Sequence, residues 1–218
     1  MIEAARFQET FFRHKSKFLI AILLIFYAVG TVGLTLDTFR DQFLPLSFFN
    51  LLLSFVILLI ARFEHSKKFY FFLLFAFLIG MTAEWIGVHT GLLFGDYAYG
   101  ENLGVKIGEV PLIIGINWPM LVIISASLAE TLVFAWYIKA FIASVFMLFL
   151  DFLIEPVAIV SDYWTWNGEI PLSNYVTWFL VTLLLQGIYF RFKLAETNKV
   201  AIALYGIQVL FFTILNLV

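Results

Sequence analysis

Residues 133–154 read VFAWYIKAFIASVFMLFLDFLI, a stretch in which only Lys139 and Asp151 carry a formal charge at neutral pH. A helix needs about 20 apolar residues to cross the hydrocarbon core of a bilayer, and this stretch meets that length. Asp151 inside it is an energetic anomaly, because a carboxylate in hydrocarbon must be paired, protonated or open to a water-filled cavity. Working outward, comparable runs fall at 18–36, 43–61, 69–88, 111–128, 175–191 and 200–217. The reading is an all-α polytopic transmembrane helix bundle of about seven spans, with residues 1–218 forming a single integral membrane domain. The division between the fourth and fifth runs has no glycine or proline to mark it, so six spans is the fallback.

Composition agrees with that class. The chain is 63% hydrophobic and 13% charged, with a mean hydropathy of +1.00, which leaves too little polar surface to cover a soluble domain. It contains no cysteine, so disulfides, thiolate nucleophiles and Cys-ligated metal centres are excluded. A net charge of −2 does not point to nucleic acid. A mixed-charge segment without a small-residue cleavage site precedes the first run, which therefore reads as a retained helix rather than a removed signal peptide.

The distribution of basic residues supports seven spans with a cytoplasmic amino terminus. In that arrangement Arg6, Arg13, Lys15, Lys17, Arg62, Lys67, Lys68, Arg191, Lys193 and Lys199 lie inside, only Arg40 and Lys106 lie outside, and Lys139 is intramembrane. The expected location is the cytoplasmic membrane. Acidic residues collect on the other side, so the candidate site is expected toward the outer face. There the third run delivers Glu84 and Trp85, the fourth Asn117 and Trp118, and the fifth Asp151 and Glu155, four residues apart and on one helical face. Two long connections cover this layer. One, His89 to Pro111, carries Asp96, Tyr97 and Tyr99 among five glycines, and the other, Ser161 to Asn174, carries Trp164, Trp166 and an Asn167-Gly168 turn. Loops of this length often act as functional lids.

Several of these residues also have structural readings. Tyr163, Trp164, Trp166 and Trp178 suit an interfacial aromatic belt, Asp162 and Glu169 suit solvated loop acids, and Lys139 can snorkel or pair with Glu130. His89 is a lone histidine at a helix end. Only His14, His65 and His89 are present, too few and too scattered for a histidine-rich di-iron site. The loop glycines do not follow a strand in a dinucleotide-binding pattern, and the last run has no lysine for a retinal Schiff base. A redox-neutral reaction is the expectation.

Two segments carry a family resemblance. Glu84-Trp85-Ile86-Gly87, Gly91-Leu92-Leu93-Phe94-Gly95-Asp96-Tyr97-Ala98-Tyr99, Leu103-Gly104, Val110-Pro111 and Trp118-Pro119 resemble the first signature of the membrane carotenoid-biosynthesis family that includes carotenoid 1,2-hydratases. Asp151-Phe152-Leu153-Ile154-Glu155-Pro156-Val157-Ala158, Trp164-Thr165-Trp166, Pro171, Asn174 and Trp178 are similar to its second, D-x-x-x-D/E-P-x-A with W-x-W. The match spans roughly residues 80–180. The chain departs from it in a short connection between Trp166 and Pro171 and in Thr177, where glycine is expected.

The resemblance implies a hydro-lyase acting on the terminal C1–C2 double bond of an acyclic carotenoid end group, in a substrate such as lycopene or gamma-carotene. The expected partners are that carotenoid, the lipid bilayer and other enzymes of the pathway. Hydration needs an acid to protonate the alkene, stabilisation of a tertiary cation and one admitted water. A carboxyl group in an apolar site can stay protonated near neutral pH, a second carboxylate can deprotonate the water, and tryptophan faces can stabilise the cation. Glu84, Asp151 and Glu155 are the catalytic candidates; Trp85, Asp96, Tyr97, Asn117, Trp118, Trp164 and Trp166 are candidates for positioning substrate or water. Three alternatives remain open: a carotenoid end-group cyclase, a UbiA-like prenyltransferase using Asp151-x-x-x-Glu155 on a metal–diphosphate, and a proton-coupled transporter.

Overall fold

The computed structural model describes residues 2–218 and the side chains of residues 14–218. The side chains of Arg6 and Arg13, which entered the charge asymmetry, lie outside the described residues. The chain runs through helices α1 (Ile2–Thr35), α2 (Asp37–Phe43), α3 (Leu46–Ala61), α4 (Lys67–Thr90), α5 (Leu112–Ala129), α6 (Trp136–Val160), α7 (Leu172–Arg191) and α8 (Lys199–Leu215). Five of these are long and apolar enough to cross a membrane. The bent pair α2 and α3 meets the same length and composition only when the two are taken together, which brings the candidates to six, and α8 is a shorter apolar helix. All seven apolar runs are therefore helical. Unforeseen is α2, which meets α3 at 61° because Pro45, at the N-cap of α3, interrupts the ladder.

Local chemistry sets the helix ends. Ser66 caps α4 by accepting from the Phe69 amide at 3.2 Å, and Gly91 ends it in the left-handed conformation at φ 65°. Pro111 and Pro171 precede α5 and α7, where their missing amide hydrogens cost nothing. Asn198 caps α8 through the Val200 and Ala201 amides. The division without a glycine or proline marker is a tight turn after Ala129, closed by the Glu130, Thr131 and Leu132 amides. Lys139 is paired there with Glu130 at 3.1 Å.

α5 is the central helix, 78% buried along its span, whereas the other spans present aliphatic and phenyl side chains outward. Close approach of α4 to α5 depends on Gly80, where an added Cβ would lie 2.3 Å from the Trp118 ring. At the end of the bundle that carries the long connections, four short strands appear that the sequence pattern did not reveal. β1 (Tyr97–Tyr99) pairs antiparallel with β4 (Trp164–Trp166), with Tyr97 opposite Trp166 and Tyr99 opposite Trp164, and β2 (Lys106–Ile107) pairs with β3 (Val110–Pro111). The opposite end carries Arg62, Lys67, Lys68, Arg191, Lys193 and Lys199.

Candidate functional site

The β1–β4 ribbon closes a cavity of about 100 Å³ among the helices, and Glu84, Asp151 and Glu155 all line it. Alternation along a strand sends every second side chain to one face. Tyr97 and Tyr99 on one strand, and Trp164 and Trp166 on the other, turn toward the bundle while Ala98 and Thr165 stay exposed. Those four rings supply four of the five donors to two of the three carboxylates.

Glu84 projects from α4 and is buried. Its Oε2 accepts from the Tyr97 hydroxyl at 2.6 Å and the Tyr99 hydroxyl at 2.8 Å, and its Oε1 accepts from the Trp118 indole at 3.1 Å. Gly87, one turn on, makes room for this arrangement, since a Cβ there would fall 2.8 Å from the Tyr97 oxygen. Glu155 on α6 is held in the same style, its Oε2 accepting from Trp164 at 2.8 Å and its Oε1 from Trp166 at 2.9 Å. Indole nitrogen only donates, so both oxygens of Glu155 act as acceptors. Burial, followed by the negative charge of Glu84, pushes the Tyr97 and Tyr99 phenols well above their ordinary value, and they serve as donors throughout the physiological range.

Asp151 differs. One turn before Glu155 on the same face of α6, it is 3% exposed, and its Oδ2 has no hydrogen-bond partner in the protein. Most buried polar atoms are satisfied, and this orphaned carboxyl oxygen belongs to a residue of the cavity wall, where an entering molecule could bond it.

The other expected residues divide. Trp118 lines the site from α5 by bonding Glu84 and stacks on Trp178 with centroids 4.2 Å apart and an interplanar angle of 8°; Asn117 also lines the cavity. Trp85 does not. It is half-exposed, stacks on His89 at 4.6 Å and lies against Gly108, because α4 turns it about 100° from Glu84. Asp96 is likewise on the outside, where it accepts from Asn167 at 2.7 Å and ties the two long connections together. Thr177, at the position where glycine was expected, donates to the Leu93 carbonyl at 2.5 Å and anchors the first connection to α7. His89 lies 3.6 Å from Glu109, outside the cavity.

Sequence reasoning gave no role to Tyr99, although its spacing of two from Tyr97 was a usable signal. It also passed over Asn50 and Gln208, single amides in apolar runs that line the same cavity. Among the described residues, no group of three or more acidic or histidine side chains is placed to hold a metal ion; two of the carboxylates converge on aromatic donors instead. The arrangement can therefore offer one unengaged carboxyl, two fixed acceptors and a wall of indole and phenol rings.

Neither a curated protein nor a solved structure matches the chain. A family-level match is nevertheless extensive, covering residues 46–218, from the start of α3 onward and including the three carboxylates and every donor to Glu84 and Glu155. The chain belongs to the carotenoid biosynthesis protein family.

Proposed function

We propose that this protein is a carotenoid 1,2-hydratase that adds water across the terminal C1–C2 double bond of an acyclic end group, with no cofactor. The observation that carries the reading is the inequality of the three carboxylates: five aromatic donors hold Glu84 and Glu155, while Asp151 keeps an unpartnered oxygen in the same cavity. An ionised carboxylate without a donor is costly there, so Asp151 carries its proton and is the acid. It protonates C2 and leaves a tertiary cation at C1. The Trp164, Trp166 and Tyr97 rings and the Glu84 carboxylate stabilise that cation, with about 2 kcal/mol or more available from each well-placed desolvated ring. Glu155 accepts the proton released by the incoming water. Proton return from Glu155 to Asp151 resets the site, and their spacing of four residues places the two side chains about 6 Å apart on α6.

A family role in carotenoid formation and an apolar cavity closed by a ribbon both support this reading. The charge asymmetry between the two ends of the bundle supports a site on the outer side of the cytoplasmic membrane. An end-group cyclase would use the same acid and cation but lose a proton in place of capturing water. The orphaned polar atoms in the cavity wall favour the water-using reaction.

The test is to supply lycopene or gamma-carotene to membranes containing the protein and to measure product mass. Gain of one water per reacted end is expected from the native chain. Loss of at least about 100-fold is expected for Asp151→Asn, a magnitude typical of a missing general acid, with reductions for Glu155→Gln and Glu84→Gln. Undiminished hydroxy-carotenoid from all three variants would remove the mechanism, and an isomeric product of unchanged mass would assign the cyclase.

A further inference from the structure

The cavity has a second polar wall, made of uncharged groups from helices that contribute none of the carboxylates. Gln208 on α8 donates its Nε2 to the Tyr27 hydroxyl of α1 at 3.0 Å. That hydroxyl lies 3.3 Å from the Ser54 Oγ of α3, which itself donates to the backbone carbonyl of Asn50, one turn back, at 2.8 Å. These bonds fix the Gln208 amide and leave its Oε1 with no partner; Asn50 Oδ1, one turn from Ser54, has none either. Tyr27, Asn50 and Gln208 all line the cavity, and Gln208 is only 2% exposed.

Both orphaned atoms are acceptors, so their missing partner is a donor. A carotene end group is a hydrocarbon and supplies none. Water has two hydrogens to give, and the cavity volume exceeds several-fold the roughly 15 Å³ that one water requires. We infer that Asn50 and Gln208, the latter anchored through Tyr27, hold the water that is added to the substrate. This rests on the hydratase reading and assigns the origin of the oxygen within it.

The step balances. The alkene π pair takes the Asp151 proton to form the C2–H bond, and C1 becomes cationic. A lone pair of the held water forms the C1–O bond, and the water's proton passes to the Glu155 carboxylate. The product is the tertiary alcohol, whose single remaining O–H hydrogen can satisfy only one of the two amide oxygens. The held oxygen therefore binds less well as product than as water, which favours release.

The test separates water holding from protonation. Membranes carrying the native protein, Gln208→Leu, Asn50→Leu or Tyr27→Phe are incubated with lycopene in D2O, with membranes lacking the protein as the blank. Two quantities are read: hydroxylated product, and deuterium in the recovered unhydrated carotenoid. In the Leu variants, hydration is expected to fall at least about 10-fold while deuterium incorporation persists or rises, because the cation still forms by gaining a deuteron and, with no water held, collapses by losing a protium from C2 or from a methyl group on C1. Tyr27→Phe keeps the ring and loses only the anchor, so a partial fall in hydration with deuterium retained is expected even if the Leu variants fold poorly. Unchanged hydration in all three variants, or hydration and deuterium falling in proportion in Tyr27→Phe, would overturn the proposal. Absence of hydration in the native protein would overturn the hydratase reading itself, and that result appears in a different arm.

Discussion

Both ends of the bundle bury an ionisable side chain, and they treat it in opposite ways. At the basic end Arg62 is 7% exposed and fully engaged. It donates to the Tyr189 hydroxyl at 3.1 Å, the Leu194 carbonyl at 2.8 Å and the Glu64 carbonyl at 2.7 Å, lies 3.8 Å from Glu196, and covers the Phe69 ring at 3.7 Å. At the ribbon end Asp151 is as deeply buried and has an oxygen left over. A buried charge that serves the fold is surrounded until its bonding capacity is used. Under the proposed mechanism Asp151 instead keeps capacity in reserve as a neutral acid, at a cost in stability that the rest of the bundle covers.

The sharpest way to break this contrast is to remove both groups and compare. Asp151→Leu is expected to lower turnover at least about 100-fold with thermal stability unchanged or raised, since an unpartnered polar group is replaced by an apolar one of similar size. Product analysis and thermal melts of the detergent-solubilised protein check the two halves of that statement. Arg62→Met is expected to do the reverse, costing about 3 kcal/mol of stability by leaving Glu196 and several carbonyls without their donor, with turnover per folded molecule within about twofold of native.

Smaller changes sharpen the contrast within the ribbon. Trp166→Phe keeps the ring but removes one of the two donors to Glu155, and a rate loss of about 10-fold, or ~1.4 kcal/mol in barrier, is expected from carotenoid turnover assays. Tyr99→Phe leaves Glu84 with Tyr97 and Trp118; a stability loss of about 1 kcal/mol and a rate within about threefold of native are expected.

Least visible at neutral pH is the titration of the phenols. Tyr97 and Tyr99 are raised above the ordinary 10.0, so the unfolded chain releases these protons near that pH while the folded chain keeps them. Stability conferred by the neutral phenols is complete below about pH 10 and declines as pH rises beyond it. Absorbance of tyrosinate during alkaline titration, followed alongside melts, checks this; ionisation of both residues near pH 10 in the folded protein would contradict it.

Much of the architecture was legible because the bilayer constrains sequence so strongly. Each apolar run became a helix, and Ser66, Gly91, Pro111 and Pro171 marked ends where capping chemistry places them. The meeting of Glu84, Asp151 and Glu155 at one cavity followed from counting turns. Hidden from that reading was rotation about α4, which separates Trp85 from Glu84 although they are adjacent in the chain. Three-residue strands carry too short a period to register, so the ribbon was read only as two loops. Asn50 and Gln208 escaped because one amide in a long apolar run does not change its hydropathy, and their shared position depends on α3 and α8 packing together, which no local pattern reports.

The pairing of β1 with β4 has a consequence for how this protein can vary. Glu84 and Glu155 are each served by two ribbon aromatics spaced two apart, Tyr97 and Tyr99 for Glu84, Trp164 and Trp166 for Glu155. The residues between them, Ala98 and Thr165, face away. Because a strand repeats every second residue, a single-residue insertion or deletion beside either strand would turn both donors of one acid outward together, while many substitutions at Ala98 or Thr165 would leave every bond in place. The ribbon is thus permissive toward spelling and strict about reading frame. Lineages of this chain should change length in these connections away from the two strands, or in steps of two.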